Sequence, residues 1–294
     1  MKVVFLVLSL VFPVLSVIAD EKVVNLDPVF GLSQSARFYY VGSEGSQTLR
    51  GELLVAGKGS TQFPDVCEHE GGDAQLHDAY TVSAGNTFFV FTCSWVVMHP
   101  GVNLKGTDFV SYVYSDKEIR SLVNDKKLAS SISGYEGSLE EGGGDYFWYS
   151  TRALASKKLK ETASGARQDS LELSHDIVLV RLKDKDYEAL KSYLTQERLD
   201  SLLREAPVSR VNSGIYNDFG FALGEAGSNK VAYSLLSKVE AVSPERVVLK
   251  LNIADVLWSS DEVKSKQYYQ SYIAMMKGRG KEHLIPSRAI ERVK

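Results

Sequence analysis

The chain has 294 residues, 44% of them apolar and 24% charged, and a formal net charge of −3 at neutral pH. So small a charge gives no electrostatic basis for binding nucleic acid or an anionic membrane surface. The apolar fraction and 15 tyrosines suffice to fill a core, which excludes disorder beyond the tails.

The opening residues, MKVVFLVLSLVFPVLSVIADEK, join one lysine, Lys2, to an apolar run that ends before Asp20. This is the pattern of a secretory signal peptide, expected over residues 1–19 and expected to be cleaved. A retained anchor is the rival reading, but the run is short for a bilayer span and Pro13 interrupts it. The protein is therefore expected to be exported, periplasmic or secreted, with no stable membrane insertion after cleavage. Cys67 and Cys93 would then meet an oxidising compartment and form a disulfide.

From Ala36 to Tyr114 the apolar residues recur with a period near two, and turn residues separate the runs. ARFYYVGS, TLRGELLVAG, DAYTVSAG, NTFFVFTCSWVVMH and TDFVSYVYS read as strands. The nearly continuous apolar run in NTFFVFTCSWVVMH predicts a strand covered on both faces, and PGVNLKG predicts the turn into its neighbour. SDKEIRSLVNDKKLASSI predicts one amphipathic helix, capped by Ser115 or Asp116, with Ile119, Leu122 and Val123 on one face. The glycines of SGYEGSLEEGGGDY predict a loop and a domain boundary.

Beyond that boundary helical spacing dominates. DYFWYSTRALASKKLKETASG predicts a helix ending near Gly165, and LELSHDIVLVRL is open between a buried strand and a buried helix. KDKDYEALKSYLTQERLDSLLREAP predicts one or two amphipathic helices that stop before Pro207. The expected fold class is α+β. A mostly antiparallel β domain (residues 20–144), pinned by Cys67 and Cys93, precedes an α-helical domain (residues 145–294).

Within the helical half, NDFGFALGEAGSNKVAYSLLSKVEAVSP aligns with the segment 34 residues later, KLNIADVLWSSDEVKSKQYYQSYIAMM. Phe219 falls on Ile253, Gly220 on Ala254 and Leu223 on Leu257; after a one-residue deletion, Ala232 falls on Ser265, Leu236 on Tyr269 and Val239 on Tyr272. This period and pattern resemble the tetratricopeptide repeat. The resemblance implies a helical hairpin with bulky residues at Tyr216, Phe219 and Leu223, small ones at Gly220 and Ala232, bulky ones at Leu236 and Val239, and a closing Pro244. In the second unit Lys250 stands where a large aromatic is usual and the closing proline comes late, at Pro286. Gly220 and Ala232 would let two helices approach closely, Gly227 would end the first helix and Ser228 would cap the second. Gly224 has no such reason. Tyr187 to Leu203 and SRAIERV are expected to cap the hairpins at either end.

The candidate chemistry is sparse. The glycines at 220, 224 and 227 do not follow a strand and do not match G-x-G-x-x-G, and Gly51-ELLVA-Gly57-Lys58 departs from the P-loop in spacing and in its residue after lysine. CEHEGGDAQLHD places His69 and His77 among carboxylates, with His99 further along, and imidazole with carboxylate can hold zinc or copper. The spacing is not H-E-x-x-H, and that mismatch favours a solvated polar loop tied at its base by the disulfide. No Gly-x-Ser-x-Gly occurs. The expected function is a non-catalytic binding or adaptor protein with no cofactor and an unidentified protein or peptide partner. The alternative is an envelope enzyme or metal-binding protein centred on His69, His77 and His99.

Overall fold

The computed structural model describes residues 21–294 other than positions 44, 56, 58, 71, 119 and 120. The expected signal peptide and Ile119 lie outside the described residues. The chain divides after Asp145 into two compact units, and the fold is α+β.

In the first unit, strands β1 (Lys22–Phe30), β2 (Ser33–Val41), β3 (Thr48–Val55) and β4 (Gly59–Gln62) form one antiparallel sheet in chain order. Strands β5 (Gln75–Ala84), β6 (Asn86–His99), β7 (Leu104–Ser115), β8 (Gly134–Ser138) and β9 (Gly144–Asp145) form a second. The inward faces of both meet in one core in which Phe63, just after β4, stacks on Phe89 at 4.9 Å and lies 5.3–6.1 Å from Phe38, Phe91 and Tyr114. Gly51 makes room for this cluster, since a Cβ there would come within 2.9 Å of both Phe38 and Phe63. The expected doubly covered strand is β6. Phe89, Phe91, Cys93 and Trp95 face this core, and the alternate residues from Phe88 to Ser94 are also buried. Thr92 and Ser111, register partners on β6 and β7, hydrogen-bond at 2.7 Å, and Ser111 donates to the Ile132 carbonyl.

Cys67 and Cys93 are bridged, as expected. Cys67 exchanges two backbone hydrogen bonds of 3.0 Å with Leu49 of β3, while Cys93 lies on β6, so the bridge ties one sheet to the other. Three aromatic side chains of the second sheet clamp the same segment. Trp95 Nε1 donates to the Glu68 carbonyl, Tyr112 OH to the Val66 carbonyl, and Tyr114 OH to Asp65 Oδ2 at 2.6 Å.

Two expectations for this half are corrected. The stretch from Ser115 to Ile132 is not one helix; a 3-10 turn (Asp116–Glu118) and α1 (Lys126–Ser131) form separately, and the N-cap of α1 is Asp125, which accepts from Lys127 N and Leu128 N. The preceding backbone pairs with β7 instead: Asn124 bridges Tyr114, its Oδ1 accepts from Val113 N, and Asp125 N donates to the Val113 carbonyl. Leu122 is buried with a positive φ of 43°, and Val123 is exposed, so the two do not share a helix face. The glycine-rich stretch is not all loop either. Gly106 and Gly137 are register partners on β7 and β8, and a Cβ on either would come within 2.4 Å of backbone oxygen of the other strand.

The second unit contains α2 (Arg152–Ala163), α3 (Leu171–Lys183), α4 (Tyr187–Tyr193), α5 (Gln196–Glu205), α6 (Ser213–Glu225), α7 (Asn229–Val242), α8 (Val247–Leu257), α9 (Glu262–Gly278) and α10 (Ser287–Glu291). The aromatic residues 146–149 precede the first of these, which begins only after Thr151 caps it by accepting from Leu154 N. LELSHDIVLVRL resolves as helix α3, capped by Ser170. Helices α6 and α7 pair, as do α8 and α9, and the aligned residues from Tyr216 to Tyr272 are buried apart from Pro244 and half-buried Lys250. Pro244 is exposed in the turn between α7 and α8.

The glycines of α6 explain its position. A Cβ on Gly220 would lie 2.4 Å from Leu236 Cδ2 of α7, and one on Gly224 would lie 2.7 Å from Val256 Cγ1 of α8. Gly224, which the repeat pattern left without a reason, is the point where α6 meets α8. Gly227, with φ of 79°, ends α6 while Ser228 N reaches back to the Leu223 carbonyl at 2.8 Å. Ser228 stands at the N-cap of α7 but its side chain makes no capping bond, contrary to the expectation.

Two outcomes follow from these contacts. Gly220→Ala is expected to destabilise the protein by about 1–3 kcal/mol despite the better helix propensity of alanine, because buried Leu236 must move. Gly278→Ala, where no atom lies near the added Cβ, is expected to raise stability by up to about 1 kcal/mol in the same denaturant titration. Reduction of the bridge, whose cysteines are 26 residues apart, is expected to lower the stability of the β unit by about 3–4 kcal/mol, measured as the unfolding midpoint with and without reductant.

Candidate functional site: the face shared by α3, α6, α8 and α10

Helix α6 packs on α3 and on α8, and α10 is held to α8, so these four helices lie in series. Each junction carries a polar contact. His175 Nε2 of α3 lies 2.9 Å from Asp218 Oδ2 of α6. Asn252 Nδ2 of α8 donates to Asn217 Oδ1 of α6 at 3.2 Å, with both residues buried. Asp255 of α8 accepts from Arg288 Nη2 at 2.8 Å and from Arg292 Nη1 at 3.1 Å.

Asp255 also accepts from the Tyr269 hydroxyl of α9 at 2.5 Å. Burial and this bond to a carboxylate push the Tyr269 phenol up to about 12, against the opposing effect of Arg292, so it stays a donor at neutral pH. Arg292 lies 4.6 Å over the Trp258 ring, which fixes its guanidinium beside the carboxylate. At the other end, Tyr216 of α6 donates to the Leu202 carbonyl at 3.1 Å and the Ala206 carbonyl at 2.5 Å, so the end of α5 is tied down.

An open cleft of about 600 Å³ lies along this series between α6, α8 and α10. Phe221, Glu225, Asn229, Asn252 and Trp258 line it, together with Asp255 and its arginines. Rigid helices thus present one aromatic patch and several side chains able to donate or accept hydrogen bonds, an arrangement fitted to recognising an extended polar chain.

The repeat-packing positions Tyr216, Phe219, Gly220, Leu223, Ala232, Leu236, Ile253, Ala254 and Leu257 hold these helices from behind. The residue that departed from the repeat, Lys250, pairs with Glu240 at 2.6 Å, and Tyr268 donates to the same carboxylate at 2.7 Å. Lys250 Nζ also lies 5.6 Å from the Tyr268 ring centroid.

The three histidines of the metal reading are placed separately. His69 lies in the loop after Cys67 with Nδ1 3.5 Å from Asp73, His77 is at a bulge of β5 and packs edge-on against Phe109 at 5.0 Å, and His99 ends β6. Among the described residues, no three His, Cys, Asp or Glu side chains gather as a metal site. Sequence reasoning missed Asn217, Asp218, Asn252, Asp255, Arg288 and Arg292. The available signal was a polar residue inside an otherwise apolar helix, as in FGFALG preceded by Asn217-Asp218 and NIADVLW with Asn252 and Asp255.

No family model matches the chain, and no curated protein matches it.

Asp255→Ala is expected to cost about 1–3 kcal/mol, because it removes three donors' shared acceptor at a site only partly screened by solvent. The difference from the unsubstituted protein should shrink at about 1 M salt, where charges are screened within about 3 Å. Amide exchange across residues 287–291 reports whether α10 loosens in the variant.

Proposed function

We propose that the protein is an exported, non-catalytic binding protein that holds a protein or peptide partner in the cleft between α6, α8 and α10. The observation that carries the reading is the open cleft of about 600 Å³, lined by aromatic and hydrogen-bonding side chains on packed helices. The tetratricopeptide-like reading is supported by the pairing of α6 with α7 and α8 with α9, and by the burial of the register residues. The disulfide supports an oxidising, non-cytoplasmic compartment. Among the described residues, no helix is long and apolar enough to cross a membrane. Periplasm or extracellular space is the location this reading assigns.

Phe221 is half-buried at the cleft and lies outside the core clusters, so Phe221→Asp alters the surface without removing a core residue. Capture of a partner from an envelope extract is expected with the unsubstituted protein and expected to be lost with Phe221→Asp, while thermal unfolding stays within about 0.5 kcal/mol. Equal capture by both proteins would sink the assignment to this cleft. Stoichiometric metal retained through dialysis and lost in His69→Ala/His77→Ala would overturn the non-catalytic reading in favour of the metal-binding alternative.

A further inference from the structure

Asp169 immediately precedes the N-cap of α3, and its side chain is only 4% exposed. Four donors converge on this carboxylate: Lys158 Nζ of α2 at 2.7 Å, Tyr149 OH at 2.8 Å, Tyr193 OH of α4 at 2.8 Å and Arg198 Nη1 of α5 at 3.0 Å. Burial alone would raise its pKa, but the hydrogen bond and charge of Lys158 and the two phenols outweigh burial and hold it below the usual range. Asp169 is therefore ionised and its charge is neutralised within the protein. Arg198 gives Nη1 to Asp169 and lies 3.9 Å over the Tyr193 ring, so its plane is fixed before any ligand arrives.

Beside this network is an open cleft of about 350 Å³. Four cationic side chains line it, Lys158, Arg167, Arg198 and Arg204, against two carboxylates, Asp169 and Glu197. Arg167 and Arg204 are exposed and, among the described residues, form no ion pair. Gln168 and Ser201 exchange hydrogen bonds of 2.8 and 3.0 Å, which fixes the loop carrying Arg167 against the helix carrying Arg198 and Arg204; Gln168 also engages the Glu205 carboxylate. Thr195, the N-cap of α5, lines the same cleft and adds the positive end of that helix.

Positive charge held in a cleft by a rigid frame, with no internal counter-charge for two of its guanidinium groups, is a fixed attractive field for an anion. A monocarboxylate can satisfy one guanidinium fork. Two guanidinium forks without an ion pair, beside Arg198 and Lys158 held on Asp169, match a dianion with several acceptor oxygens. We propose that the cleft bounded by Lys158, Arg167, Arg198 and Arg204 binds a phosphate group, either free or as a small monoester. This site is distinct from the α6–α8–α10 cleft, so each can fail without the other.

The test is calorimetric titration of the protein with inorganic phosphate and, separately, with glycerol phosphate, both in chloride buffer. Saturable binding of either is expected, weakened by about tenfold or more in Arg167→Gln/Arg204→Gln with unchanged circular dichroism. Tighter binding of glycerol phosphate would assign the site to an ester and tighter binding of inorganic phosphate to the free ion; both support the proposal. Absence of saturable binding by both, unchanged affinity in the double variant, or equal displacement by acetate would each overturn it.

Discussion

The close approach of α6 to its neighbours is the constraint on which the helical unit depends. Two positions without side chains, Gly220 and Gly224, bring it against Leu236 of α7 and Val256 of α8. Helices that meet at such positions can bring their backbones nearer than bulkier contacts permit, and the larger residues around them then fill the remaining space. Tyr216, Phe219 and Leu223 do so on α6, and Ile253 and Leu257 on α8. Polar side chains at the junctions become useful only because of this proximity: the buried Asn217–Asn252 bond needs both helices within reach of short amide groups. The same packing that excludes water behind the helices leaves their opposite edge free to carry Phe221, Glu225 and Asn229.

The β unit solves a different problem, that of joining two sheets whose strands each pair only with chain neighbours. Every ladder within a sheet is local, so cohesion between sheets rests on side chains. The Phe63-centred cluster supplies apolar contact, and the segment 65–68 supplies polar and covalent contact through Tyr114, Tyr112, Trp95 and the bridge. Glu52 shows how the outer face is treated. It is buried, accepts from Ser60 at 2.6 Å and from Arg37, and these bonds hold its carboxyl below the usual range although burial opposes them.

What could be read from the sequence was what depends on spacing along one element. The run from Phe88 to Trp95 is continuous enough to announce a strand buried on both faces, and the aligned positions Phe219, Leu223, Ile253 and Leu257 are buried. The cysteine pair followed from count and expected compartment. What failed depended on a partner elsewhere in the chain. The segment 115–125 has helical spacing, but Asn124 finds Val113 of β7, and a strand edge with unpaired groups outcompetes a short helix with a costly nucleus. Gly224 had no visible reason because its reason is Val256. The candidate site was hidden for the same cause: Asp255 reads as a surface acid until α10 and α9 bring two arginines and a phenol to it. Histidines crowded in sequence drew attention instead, and the β5 bulge and the Phe109 ring then set His77 apart.

Helix α10 is only five residues long, yet it joins the apolar cluster on α9. Ala289 is buried, and with Ile285 and Val293 it covers Tyr272 and Met276 of α9. From this helix and its C-cap, Arg288 and Arg292 reach Asp255 of α8. The small helix thus acts as a clasp, joined to α8 through charge and to α9 through apolar contact.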